Sequence, residues 1–200
     1  IGGGPMLLWS LRAFLSHPAV ARVVVVVADE VVAAPPGWLA ELAGERLRLA
    51  RGGAERIDSV EFGVAALGGD FPVVLVHDGA RPFVEAGTID AVIATARMGR
   101  SAVAAIPVSD TLKRSQGELV AATVPREGLW RAQTPQGFPL EWLTAGLARA
   151  RSLGMIATDD AAMVEAAGGA VALIPDRGTN FKITTADDLL LAEAVARGRR

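Results

Sequence analysis

The clearest pattern in the chain is Arg22-Val-Val-Val-Val-Val-Ala28, an unbroken run of β-branched residues. A run with no polar alternation predicts a strand buried on both faces, as in a parallel sheet. Val73–His77, Ala102–Val108 and Ala170–Ile174 predict further short buried strands, and Leu47–Ala50 another. Between them the apolar period changes. Met6–Ser16 carries apolar residues at 7, 8, 11, 14 and 15, a helical stripe. Helices are also predicted over Arg56–Leu67, Leu140–Leu153, Asp159–Ala167 and Ala186–Arg197, and over Thr88–Met98 with Thr88 as its N-cap. Thr185 followed by Asp188 has the spacing of a capping box. Strands alternating with helices predict an α/β fold, Rossmann-like and doubly wound around a mostly parallel sheet. Residues 109–126 break the alternation. Two extended runs there flank Gln116-Gly117 and predict a β-hairpin arm that leaves the core.

Composition narrows the chemistry. In 200 residues, 51% apolar content is enough for one cored domain and excludes disorder as the main state. The 20 basic and 22 acidic residues leave a net charge of -2, so a strongly basic nucleic-acid binder is not expected, and a local basic cluster stays open. Cysteine is missing, which removes disulfides, thiol nucleophiles and iron–sulfur ligation. Neither His17 nor His77 lies in an HExxH pattern. No apolar run approaches the roughly 20 residues of a membrane span, and no signal peptide is evident, so a cytoplasmic location is expected.

Ligands of open α/β sheets bind beyond the C-terminal strand ends. After Val73–Val76 comes His77-Asp78-Gly79-Ala80-Arg81-Pro82, an acid and an arginine three residues apart on one turn. Arginine offers a planar fork for phosphate or carboxylate. A local ion pair that only shapes the loop is the plainer reading. After Leu47–Ala50 comes Arg51-Gly52-Gly53-Ala54 at the start of a helix, where bare backbone N–H groups suit an anion or a base edge. Gln133–Gly137 and Thr158-Asp159-Asp160 follow further on; Thr158 is most simply a helix cap. Only two lysines occur, Lys113 and Lys182. Lys182, between Phe181 and Ile183, points to phosphate chemistry, or else to an exposed ammonium on a strand.

Taken together and in order, Arg51–Val60, Val76–Pro82, Pro107–Lys113, Gln133–Gln136, Thr158-Asp159 and Asn180–Thr184 resemble the 2-C-methyl-D-erythritol 4-phosphate cytidylyltransferases. The resemblance runs from about Pro5 to the end. It implies one nucleotidyltransferase domain over 1–200 that joins CTP and a polyol phosphate, with pyrophosphate leaving and Mg²⁺ held mainly by the CTP phosphates. It implies a cytidine pocket at Gly53, Ala54 and Ser59, with Gly79 near the ribose or base. Asp78 would hold a polyol hydroxyl. Arg81, Thr134, Thr158 and Lys182 would surround the polyol phosphate and the reacting centre. The arm would clasp a second copy into a homodimer, and Thr111 and Arg126 would serve the partner's site. The family's opening strand and Gly-rich CTP loop have no counterpart in these residues, since Gly2-Gly3-Gly4-Pro5 matches only the turn after them. Ala54 stands where the family often has an acid. Ribitol-5-phosphate cytidylyltransferases share much of the pattern, and a non-catalytic dimeric nucleotide-binding module is the reading from another class.

Overall fold

The computed structural model describes residues 1–199. Strand β1 (Val23–Val27) pairs in parallel with β2 (Leu47–Arg51), Val25 lying opposite Leu49. A second sheet has the order β3-β7-β4-β8, from β3 (Val73–Val76), β7 (Trp130–Pro139), β4 (Ser101–Pro107) and β8 (Val171–Pro175). β4 and β8 run parallel, whereas β7 is antiparallel to both its neighbours. Short helices α2 (Asp29–Ala33) and α3 (Gly37–Ala40) join β1 to β2.

Helices cover both faces, the doubly wound arrangement the alternation predicts. On one side α4 (Arg56–Leu67), α6 (Leu140–Leu153) and α7 (Asp160–Ala166) bring Ile57, Val60, Leu143, Leu147, Met163 and Val164 against Val74 and Phe138. On the other, α1 (Met6–Leu15) and α5 (Ala86–Arg97) gather Phe14, Ile89 and Ile93. The last helix, α8 (Ala186–Gly198), packs Ala192 and Ala196 on Phe83. Its capping box is as expected, with Thr185 accepting from the Asp188 backbone and Asp188 returning the bond.

Two expectations need correction, and a third holds. β7 is missing from the predicted strands, because Pro135 and Gly137 are residue types that ordinarily stay out of a central strand. In fact Gly137 is what lets the helix layer close: a Cβ there would lie 2.3 Å from Val92 Cγ1 of α5. Helix α5 begins at Ala86 after Glu85, and Thr88 is no cap; its hydroxyl donates to Asp176 Oδ1 at 2.8 Å. The predicted arm is present as β5 (Leu112–Gln116) and β6 (Leu119–Val124), turning at Gly117 with φ 61°.

The two sheets do not join. β1 is paired only with β2 and β3 only with β7 among the described residues. Their remaining edges line a cavity of about 1130 Å³, with Val23–Val27 on one wall and Val73–Val76 on the other. Open strand edges ordinarily attract another strand.

Candidate active site

The cavity's polar end lies where β3 stops. Asp78 follows β3 directly, and its carboxylate gathers three cations. Arg56 Nη1 lies 3.2 Å from Oδ1, while Lys182 Nζ and Arg81 Nε lie 3.3 and 3.4 Å from Oδ2. Burial pushes the Asp78 carboxyl up, but Lys182, Arg56 and Arg81 outweigh it and hold it below its ordinary value. Burial lowers Arg81, and the Asp78 charge restores only part of that.

Each cation comes from a different segment. Arg81 shares the Asp78 turn, closed by Arg81 N–H on Asp78 C=O at 2.9 Å. Lys182 rides on the stretch after β8, which is irregular rather than a strand. The fully buried Asn180 fixes that stretch. Its side-chain amide donates to Thr134 C=O at 2.8 Å and Asp176 Oδ2 at 2.7 Å, and its backbone carbonyl accepts Arg81 Nη1 at 2.9 Å. Ile183 N–H then bonds Ala80 C=O at 2.9 Å, docking the Lys182 loop on the Asp78 turn.

Arg56 opens α4, and the sequence reading gave it no role. Its other arm reaches Asp160 Oδ2 at 2.6 Å, and Asp160 is completely buried. Burial raises the Asp160 carboxyl, and the Arg56 bond and charge offset only part of that. Asp160 Oδ1 and Arg56 Nε have no hydrogen-bond partner. One signal for Arg56 was in the chain: a cation in the first turn of a helix opposes the helix dipole, so it needs another reason to be there.

The glycine pair behaves differently from its reading. Gly52 N–H donates to Val27 C=O at 2.7 Å, and Gly53 N–H to Ser59 Oγ at 3.1 Å, so neither is bare. Ser59 therefore holds the loop shape. Glycine is required at 53, because a Cβ would lie 2.0 Å from Asp58 Cβ. Gly53, Ser59 and Gly79 line the same cavity as Asp78; Ala54 is exposed and does not.

Thr134 is buried, 4% exposed, and accepts the Asp78 N–H on its hydroxyl at 3.0 Å. The Thr134–Pro135 peptide is cis. Thr158 is not the cap of α7. Asp159 is, accepting Ala162 N–H at 3.0 Å, and buried Gln136 braces it by donating to Asp159 Oδ2 at 2.9 Å. Thr158 is exposed, two residues before the buried Asp160, and lines neither the large cavity nor the Asp78 cluster. Thr111 and Arg126 stand apart from this group. They line a separate cavity of about 240 Å³ at the base of the arm, where Arg126 bonds Ser109 C=O.

A turn holding an acid among three cations, beside a glycine-shaped helix start, is what binding of phosphate esters calls for. The family model for 2-C-methyl-D-erythritol 4-phosphate cytidylyltransferase matches residues 1–198. The chain belongs to that family. It is thus a member of a nucleotidyltransferase family of isoprenoid biosynthesis. The chain is 46% identical to the bifunctional enzyme IspD/IspF of Rhodospirillum rubrum over 99% of its own length and 51% of that protein's. It is 44% identical to the cytidylyltransferase of Halorhodospira halophila, covering 99% of this chain and 84% of that one. The chain therefore spans about half the length of the bifunctional relative. The crystal structure of the Thermus thermophilus cytidylyltransferase superposes with a TM-score of 0.86 at 42% identity, covering 98% and 91% of the two chains. Structural likeness at this identity supports the α/β nucleotidyltransferase fold. No helix among the described residues is long and apolar enough to cross a membrane.

Proposed function

We propose that the cluster around Asp78 is the centre of the family's reaction: CTP and 2-C-methyl-D-erythritol 4-phosphate give 4-diphosphocytidyl-2-C-methyl-D-erythritol and pyrophosphate. The observation that carries this is the convergence of Arg56, Arg81 and Lys182 on one carboxylate at the C-terminal end of a strand. In the reaction a phosphate oxygen of the polyol attacks the α-phosphorus of CTP. A bond forms between them, and the bond to the pyrophosphate oxygen breaks. The attacking phosphate is already an anion near neutral pH, so the work is to hold two anions together and absorb charge in the transition state. Asp78 holds the three cations within 3.4 Å of one carboxylate and offsets part of their mutual repulsion. Arriving phosphates then take over Lys182 and Arg81. The nucleoside lies toward Gly53, Ser59 and Gly79, and the polyol phosphate toward Arg81, Thr158 and Lys182.

Among the described residues no group of three or more His, Cys, Asp or Glu could hold a metal. Mg²⁺ fits this donor set as a passenger on the triphosphate, with Asp78 the carboxylate able to face it, and when bound it neutralises phosphate charge. The slot between β1 and β3 supports a further part of the reading. A strand inserted there would join the two sheets, and the Gly-rich loop implied by the resemblance would follow it to the cavity's polar end. The arm reading also belongs here. Leu119 and Val120 are 77% and 64% exposed, which favours a homodimer in which the arm delivers Thr111 and Arg126 to the partner's site. The same reading sets the enzyme in the cytoplasm.

Pyrophosphate release from CTP tests the substrate: methylerythritol phosphate is expected to be turned over far faster than ribitol 5-phosphate, and the reverse order would sink the assignment. Mixing Arg126→Ala with Lys182→Ala subunits tests the sharing. A heterodimer places both lesions in one site, so up to about half the wild-type activity returns if sites act independently. If subunits exchange and nothing returns, Arg126 serves its own chain.

A further inference from the structure

His77 enters no part of the mechanism above, yet both its ring nitrogens are engaged inside the site. Nε2 lies 3.0 Å from Arg81 C=O, and Nδ1 lies 3.0 Å from Thr134 Oγ1. Its ring packs against Phe14 at 4.9 Å between centroids. The chemistry of these partners fixes where the protons are. A carbonyl only accepts, so Nε2 carries the hydrogen. In a neutral imidazole the other nitrogen must then accept. Nδ1 therefore takes the hydroxyl hydrogen of Thr134. That leaves the Thr134 oxygen as an acceptor, and one of its lone pairs already receives the Asp78 N–H at 3.0 Å.

We propose that His77 is a positioning residue for the transfer, holding the Thr134 hydroxyl as a pure acceptor and thereby fixing the backbone at both ends of the Asp78–Arg81 turn. The bonds form a closed path from β3 through the imidazole to β7 and back. It sets the Arg81 carbonyl at one end and the Asp78 amide at the other, so the carboxylate and guanidinium between them meet Lys182 at a fixed spacing. The role of Thr134 changes as a result. It has no proton to donate to a phosphate oxygen. One lone pair remains, which suits a hydrogen bond received from a polyol hydroxyl. The proposal rests on the functional reading above, and deepens it by assigning the polarity of one contact.

The test has two arms. The chain has only two histidines, so nitrogen-15 spectra of the histidine-labelled, ligand-free protein separate them readily. His77 is expected as the neutral Nε2–H tautomer near pH 7, with its Nδ1 resonance moving in Thr134→Val. This readout does not depend on turnover, and on the unsubstituted protein it does not depend on any variant folding. In the second arm, Thr134→Val is expected to lower kcat on the order of 10²-fold, as for misplaced reacting groups generally, with KM for CTP little changed. Thr134→Ser, which keeps the hydroxyl, restores most of the rate. A charged or Nδ1–H His77 overturns the proposal. So does a Thr134→Val enzyme with unchanged kcat and a raised KM for the polyol phosphate alone, since that is the signature of direct phosphate donation. An inactive wild-type enzyme with the expected spectrum would instead strike the functional reading.

Discussion

The Asp78 cluster and the β5–β6 arm solve opposite problems. In the cluster, polar groups from the start of α4, the end of β3, β7, the start of α7 and the 180–184 stretch pair with one another inside one protomer, with only a few atoms such as Asp160 Oδ1 and Arg56 Nε left over. The arm has little of this. Its strands are almost wholly exposed, and its side-chain bonds are local, such as Lys113 Nζ to Thr123 Oγ1 at 2.7 Å. An isolated two-stranded hairpin is marginally stable in water. The cluster is therefore explained by the chain that contains it. The arm calls for something outside that chain, which is the physical ground for expecting a second copy.

The largest expected effects fall on the cluster. Lys182→Ala and Arg81→Ala each remove a cation that faces developing phosphate charge, and each is expected to cost on the order of 10²-fold in kcat. Steady-state pyrophosphate release measures this. Wild-type turnover in either variant would dissolve the contrast drawn here, because the cluster would then be structural only.

Next comes Arg56→Ala, which leaves Asp160 buried without its cation. Breaking such a pair costs on the order of 3 kcal/mol. Because Arg56 is about a third exposed, some of that is screened. Denaturant unfolding should show the loss, and Asp160→Asn should be milder, since an amide oxygen still accepts from the guanidinium. Equal losses would mean that the charge of the pair, rather than its hydrogen bond, carries the effect.

How legible was each region? The hairpin, the α8 capping box and the existence of a strand at Val23–Val27 were plain, because each rests on a local pattern; the strand's burial on both faces was not, since only Val25 is buried and the others are half-buried beside the cavity. The C-terminal end of β3 was a sound place to look for chemistry, since strand order dictates it. What the sequence concealed was long-range. β7 contains Pro135 and Gly137, which weaken a strand pattern; only packing of Val92 against Gly137 shows why glycine belongs in that strand. Asp160 looked like an ordinary acid at a helix start, and its burial depends on Arg56, 104 positions away. The Gly52–Gly53 amides looked available because Val27 C=O and Ser59 Oγ, which take them, come from elsewhere in the fold or the next helix turn.

A smaller effect separates the regions by pH. Desolvation pushes His77 down to about 4 from an ordinary 6.5, against the hydrogen bond to the Arg81 carbonyl and the charges of Asp78 and Asp176, and with the charge of the Arg81 guanidinium. The unfolded chain therefore binds more protons between these values, and stability rises with pH across that window. The contribution is fully present above about 6.5 and is lost as pH falls toward 4, at most on the order of 3 kcal/mol for such a shift. Unfolding at pH 7 and pH 5 should show it, and His77→Gln should flatten the slope. The arm's strands are almost wholly exposed and make only local side-chain bonds, so deleting them should leave the slope alone.

The smallest expected change in the protomer's own stability comes from Leu119→Ser with Val120→Ser. Both side chains are exposed, and solvated surface substitutions usually stay within about 0.5 kcal/mol. Unfolding of the dilute protomer should hardly move. If a second copy covers these residues, however, the same pair removes apolar area from the interface at about 25 cal/mol per Å². Sedimentation at rising concentration should then show weakened self-association together with unchanged protomer unfolding. Unchanged association would move the dimer contact off the hairpin tip, and a destabilised protomer would mean that the arm is folded onto its own chain.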